Sequence, residues 1–154
     1  QKTCENDWSK TLNTINVNFT GAVSILNIIS NDMEQNKNGF IVGVSSVAGD
    51  RGRKANYIYG SSKAAFSAYL SGLRNRLHES GVKVLTVKPG FVATKMTAKL
   101  DLPTKLTAQP EDVAKDIFTA QQKGKDILYT KPIWRVIMMI IKIIPEWKFK
   151  GMSI

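Results

Sequence analysis

Asn56-Tyr-Ile-Tyr-Gly-Ser-Ser-Lys63 is the stretch on which the reading of this chain turns, because Tyr59 and Lys63 stand four apart. Apolar residues then recur at helical spacing through Ala65, Phe66, Tyr69, Leu70, Leu73 and Leu77. That pattern predicts a helix from about Tyr57 to Ser80, stopped by Gly81, which takes positive φ without strain. Positions i and i+4 share a helix face, so a phenol is expected beside an ammonium group. A positive neighbour favours the phenolate and lowers the phenol pKa. A tyrosine tuned in this way can exchange a proton with a substrate oxygen near neutral pH. Alone, such a pair is a short motif that chance supplies readily.

The surrounding sequence is more specific. Ser46 ends Gly39-Phe-Ile-Val-Gly-Val-Ser-Ser46, an apolar, β-branched run that reads as a buried strand launched by the turn at Asn38-Gly39. Val82 to Val87 is a second such run, closed by Pro89-Gly-Phe-Val-Ala-Thr94. Residues 7 to 35 space Trp8, Leu12, Ile15, Phe19, Val23, Leu26, Ile29 and Met33 by three and four, which predicts a long helix or two joined helices. Asn16, Asn18 and Gly21 interrupt it near the middle. Asn18 is either a helix-distorting residue satisfied by local backbone or a member of a site. Pro110 at a helix N1 position, with Glu111 and Asp112 in the first turn, opens a helix through Gln121. Asp126 to Thr130 is a last short strand. The alternation of helices with three strands predicts a parallel α/β sheet. Thr94 to Leu106, polar and carrying Lys95, Lys99 and Lys105, reads as a mobile lid over an open site.

Four of these features, in this order, resemble the short-chain dehydrogenase/reductase family: Asn18 in an N-x-x-G turn, Ser46 at a strand end, Y-x-x-x-K at Tyr59 and Lys63, and P-G-x-V-x-T at Pro89 to Thr94. The resemblance runs over about residues 5 to 130. It implies the C-terminal half of a doubly wound, Rossmann-like parallel sheet, and an oxidoreductase that reduces a carbonyl, or oxidises a secondary alcohol, with NADP or NAD. It further implies that Tyr59 is the general acid and that Lys63 depresses the Tyr59 pKa and binds the nicotinamide ribose. Ser46 would polarise the substrate oxygen, and Asn18 would complete a proton relay. Pro89, Gly90, Val92 and Thr94 would border the nicotinamide, with Val92 and Thr94 fixing its carboxamide. Family members commonly pair their two long helices, here residues 7 to 35 and 57 to 80, so a homo-oligomer is expected.

The family's T-G-x-x-x-G-x-G turn and N-A-G segment are absent from these 154 residues. Such a turn lets a dinucleotide pyrophosphate approach amides at a helix N-terminus. Residues 1–130 therefore read as a partial catalytic domain, truncated at its N-terminus and inactive alone, whose Ser46 strand presents an apolar edge. The other reading is a non-catalytic remnant of the family that binds membrane or partner subunits through its tail.

A chain of 154 residues with 43% hydrophobic content can bury one core. The net charge of +10 raises nucleic acid or an anionic membrane as partners. The basic residues are scattered and match no nucleic-acid motif, so nucleic acid is not expected. Cys4 is the only cysteine and no secretory leader stands in the first residues, so the expected location is the cytoplasm, extending to the inner membrane surface. The loop Val47 to Asn56 carries Asp50, Arg51, Arg53 and Lys54 and reads as a solvated loop or as a site for an anionic substrate group.

Residues 131–154 form an apolar and basic tail. Ile133 to Ile144 holds only Arg135 and Lys142 as charges, and it is too short for a bilayer span of about 20 residues. Trp147, Lys148, Phe149 and Lys150 follow Pro145. The tail is either a helix in the membrane surface or one packed on protein. Together with the basic loop it resembles bacterial family members related to polyprenyl-phosphoryl keto-sugar reductases, implying a small-molecule or lipid-linked carbonyl substrate.

Overall fold

The structure, a computed structural model, describes residues 1–98 and 100–153. Lys99, assigned above to the lid, lies outside the described residues. A one-turn helix, α1 (Lys2–Glu5), precedes α2 (Trp8–Ile15), whose N-cap Asp7 accepts from the amides of Ser9 and Lys10. α2 continues through a π-helical turn, Asn16–Thr20, into α3 (Gly21–Asn36). The interruption expected at Asn16, Asn18 and Gly21 is thus a π-bulge within one long helix. The run Trp8–Asn36 is long and apolar enough to cross a membrane by length and composition. In this fold, however, Phe19, Leu26 and Met33 pack on the core.

β1 (Phe40–Val44) follows, then a 3-10 turn at Val47–Gly49 and α4 (Tyr57–Arg76). α4 ends at Arg76 rather than Ser80. Leu77 turns into the core instead of continuing the helix, and the Ser80 hydroxyl takes the Leu77 carbonyl. Gly81 does adopt the left-handed region, at φ 77°. β2 (Lys83–Pro89) runs directly into β3 (Phe91–Val92), which pairs with β4 (Thr107–Ala108). This two-residue pair is too short for periodicity to reveal, and it anchors both ends of the segment expected to be a lid. α5 (Pro110–Gln122), β5 (Ile127–Thr130), α6 (Ile133–Ile143) and α7 (Glu146–Phe149) complete the chain.

The main sheet is parallel with strand order β1-β2-β5. One face is covered by α3 and α4 through Ile41, Phe66, Leu70, Leu73, Leu77, Val82 and Val84. The opposite face carries α5, with Leu85, Val87, Ala120 and Leu128 buried between them. A third cluster joins α6 to the ends of the strands through Val47, Trp134, Met138 and Ile141. β1 and β5 are the edge strands, and Val42 and Val44 of β1 remain 38% and 48% exposed, the apolar edge expected from the sequence.

Candidate active site

The C-terminal ends of β1 and β2 open into a cleft of about 530 Å³. Ser46, Tyr59 and Lys63 line one wall, and Pro89, Gly90, Val92 and Thr94 line another. Trp134 of α6 also reaches the cleft. The wall bearing Tyr59 is set by close backbone approach. A Cβ at Gly60 would lie 2.8 Å from the Ala48 carbonyl oxygen, and one at Gly49 would lie 2.7 Å from the Ala64 nitrogen. Both glycines therefore let α4 sit directly on the turn that follows Ser46. Ser45 reinforces the join, since its hydroxyl donates to the Lys63 carbonyl at 2.9 Å and lies 2.7 Å from the Ser67 hydroxyl.

Ser46 is 8% exposed, and its hydroxyl accepts the Ala48 amide at 3.1 Å. Lys63 donates to the Val44 carbonyl at 3.1 Å, with Nζ 5.8 Å from the centroid of the Tyr59 ring. The electrostatics differ from the sequence expectation. Burial pushes the Tyr59 phenol above its ordinary value, and only the Ser46 hydroxyl draws it the other way. Burial also pushes the Lys63 ammonium down. The net direction for the Tyr59 phenol is upward and is set by its burial, while the Lys63 ammonium is directed at the Val44 carbonyl.

Asn18 lies in the π-helical turn, and its side-chain amide donates to the Thr14 carbonyl at 2.9 Å. It does not line the cleft.

Thr97 occupies a position that the sequence did not single out. Its hydroxyl donates to the Val92 carbonyl at 2.6 Å and accepts the Thr94 amide at 3.0 Å. One polar group bridges a backbone acceptor and a backbone donor on the cleft wall. A carboxamide, with its own donor and acceptor, fits the same pair.

Trp134 closes the cleft from the tail. It is 4% exposed, donates its indole N–H to the Leu106 carbonyl at 3.1 Å, and meets the Phe91 ring edge-on at 5.3 Å. A Cβ at Gly90 would come within 1.9 Å of its Nε1. Gly90 is needed for this contact, which no local sequence pattern announces.

The basic loop divides into separate tasks. Arg51 donates to the Ile141 and Ile144 carbonyls at 2.5 and 2.6 Å, pairs with Glu146 at 2.8 Å, and stacks 3.6 Å from the Phe149 ring centroid. It caps α6, where a cation is favourable, and is not a free cation awaiting substrate. The Asp50 carboxylate is buried between Lys88 and the Tyr129 hydroxyl. Arg53 and Asn56 reach the cleft.

A family profile described as short chain dehydrogenase matches residues 1–104. The chain belongs to the short-chain dehydrogenase family. An uncharacterized oxidoreductase of Mycobacterium tuberculosis strain H37Rv is 33% identical over 152 residues, covering 99% of this chain and 61% of its own length. Another, from Streptomyces coelicolor, is 32% identical over 151 residues and is covered over 59% of its length. The chain thus spans about three fifths of the length of these relatives. Among solved structures, a short chain dehydrogenase from Burkholderia cenocepacia in complex with NADP superposes with a TM-score of 0.78 at 22% identity, over 86% of this chain and 56% of its own. A 3-oxoacyl-[acyl-carrier protein] reductase with bound NAD from Brucella melitensis gives 0.66 at 21%, over 80% and 51%. The fold is therefore that of a short-chain dehydrogenase, with three strands of its parallel sheet in these residues.

Proposed function

We propose that this chain forms the catalytic part of a nicotinamide-dependent oxidoreductase that reduces a carbonyl to an alcohol. The observation that carries the reading is the convergence of Ser46, Tyr59 and Lys63 on one cleft. Tyr59, held in its protonated form by burial, gives its proton to the substrate oxygen. Ser46 donates a hydrogen bond to that oxygen as negative charge develops on it. Lys63 lies one helical turn beyond Tyr59 and holds the ribose hydroxyls. Val92 and Thr94 would hold the carboxamide, and Pro89 and Gly90 would border the nicotinamide. When bound, the nicotinamide supplies the hydride to the carbonyl carbon, or takes it in the reverse direction. Asn18, in the π-helical turn against α4, is the proposed link from Lys63 to solvent for reprotonating Tyr59.

The bound NADP and NAD of the Burkholderia and Brucella structures support nicotinamide as the cofactor and leave both forms open. Residues 1–154 contain no glycine-rich pyrophosphate turn, so weak dinucleotide binding and no turnover are expected of this stretch alone, measurable by calorimetric titration with NADPH. The test of function is oxidation of NADPH or NADH by the native-length protein over a panel of ketones. Turnover of at least one supports the reading, whereas no turnover of any with either cofactor removes it.

The tail favours a second, compatible role. α6 buries Trp134, Met138 and Ile141 but exposes Ile133, Val136, Met139, Ile140 and Ile143, with Trp147 beyond. Exposed Arg135, Lys142, Lys148 and Lys150 flank this face. We assign it to the surface of an anionic bilayer, and a lipid-linked carbonyl is accordingly among the substrates to test. Sedimentation with vesicles containing phosphatidylserine, lost in Met139→Glu, is the expected result; equal sedimentation of the two proteins contradicts it. The exposed stripe Trp8, Leu12, Ile25 and Ile28 is the proposed contact for a second copy, to be checked by light scattering.

A further inference from the structure

Arg53 is the charged side chain of the cleft that the reduction chemistry leaves unused. It lies seven residues past Ser46 in sequence, and it faces the same cavity as Ser46, Tyr59 and Lys63. Its Nε is buried and has no hydrogen-bond partner, and no ion pair to its guanidinium is found among the described residues. A buried donor without a partner costs free energy, and the rest of the guanidinium is half-buried. The nearest acid does not offset this. Asp50 attracts Arg53, but its two oxygens are already engaged by Lys88 and the Tyr129 hydroxyl. Burial consequently pulls the Arg53 pKa below its ordinary value.

A second orphan lies three residues on. The Asn56 side-chain oxygen is buried without a partner and lines the same cleft. The chain turns between them, with the Asn56 amide bonded to the Arg53 carbonyl at 3.0 Å, so an unsatisfied donor and an unsatisfied acceptor occupy one corner. The other cations of the loop are accounted for elsewhere: Arg51 caps α6, and Lys54 is exposed and does not line this cleft.

We propose that Arg53 is the specificity residue of the cleft, binding an anionic group of the substrate, a carboxylate or a phosphate, while Asn56 accepts a hydrogen bond from a neighbouring hydroxyl or amide. The inference rests on the carbonyl-reducing reading for the identity of the reacting group, and it deepens that reading by naming the substrate as an anionic carbonyl compound. The planar guanidinium suits either anion, because its fork matches two oxygens at once. Ketones with no negative charge leave the buried Arg53 Nε unpaired, and are discriminated against for that reason.

Two measurements test this on the native-length protein. The first needs no turnover: the Arg53 Nε–H signal is followed by NMR in protein labelled with ¹⁵N-arginine, assigned through Arg53→Lys, and titrated with sodium acetate and with inorganic phosphate. A saturable shift of Arg53, absent from the Arg51 and Arg135 signals, is expected, and the tighter of the two anions identifies the source. A response no different from that of exposed Arg135 overturns the proposal, whether or not the protein reduces ketones. The second compares kcat/KM for a keto acid, its phosphate-bearing counterpart and its methyl ester. A charged hydrogen-bonded pair supports a preference on the order of tenfold to a hundredfold for the anion. In Arg53→Met the ratio of anion to ester falls towards one through KM, and Arg53→Lys restores part of it. An unchanged ratio in Arg53→Met contradicts the proposal. Failure of every ketone to react removes the reductase reading and leaves the NMR titration to decide on Arg53.

Discussion

Helices α4 and α6 face the same cleft, yet they are held by different kinds of contact. Beyond the core packing of Phe66, Leu70 and Leu73, α4 is seated at the cleft through backbone, with no side chain at Gly49 or Gly60 to yield. Tyr59 and Lys63 therefore inherit the position of the sheet. α6 is held by side chains, Trp134, Met138 and Ile141 along one face and Arg51 at its end. Side chains can be exchanged for others of similar volume at modest cost, whereas backbone in contact with backbone cannot. The proposed proton donor thus stands on the wall fixed by backbone contact, and α6 forms the wall that side-chain exchange can reshape.

Substitutions that separate the two walls sharpen this division. The largest expected effect on stability is Trp134→Ala, about 3–5 kcal/mol, read by chemical denaturation. If the walls are independent, the loss appears as early detachment of the tail, and a single cooperative loss with α4 breaks the distinction. Gly60→Ala comes next, at about 1–3 kcal/mol, because the atom facing the new Cβ is the Ala48 carbonyl oxygen. A neutral substitution there means that the backbone contact is looser than described. Arg51→Met removes the cap of α6 and is expected to cost about 1–2 kcal/mol, with weakened protection of α6 amides in hydrogen exchange and unchanged protection in α4. Ile143→Ser, at 74% exposure, is expected to move stability by less than about 0.5 kcal/mol while weakening vesicle binding.

The protonation of the rigid wall predicts a pH profile. Because the Tyr59 phenol titrates above its ordinary value, its acid form persists through neutral pH. Ketone reduction should be level there and decline only at strongly alkaline pH, while alcohol oxidation, which needs the phenolate, should rise over the same alkaline range. Reduction that declines already between neutral pH and the ordinary phenol value would show that another group sets the profile.

The rigid wall was legible in the sequence because each of its parts is local. The run ending at Ser46, the four-residue spacing of Tyr59 and Lys63, and the asparagines of the π-bulge each report on their own segment. The replaceable wall was not legible, since its contacts join residues far apart in the chain. Nothing near Trp134 points to Gly90, and nothing near Arg51 points to Ile141 or Phe149. Arg51 and Arg53 looked equivalent as neighbouring charges, but one caps a helix and the other faces the cleft. Spacing locates Lys63, but the direction of the Tyr59 shift follows from burial, which no local pattern reports. The apolar period runs past the end of α4, because Leu77 keeps it after the helix has stopped.

The central claim is that Tyr59 delivers the proton in carbonyl reduction, and its most direct test is the single-turnover rate of NADPH oxidation with a reactive ketone in the native-length protein and in Tyr59→Phe. A fall of about 10²–10⁴-fold, with NADPH affinity and thermal unfolding retained, is predicted. Equal rates in the two proteins would contradict the account and move the acid to another group in the cleft.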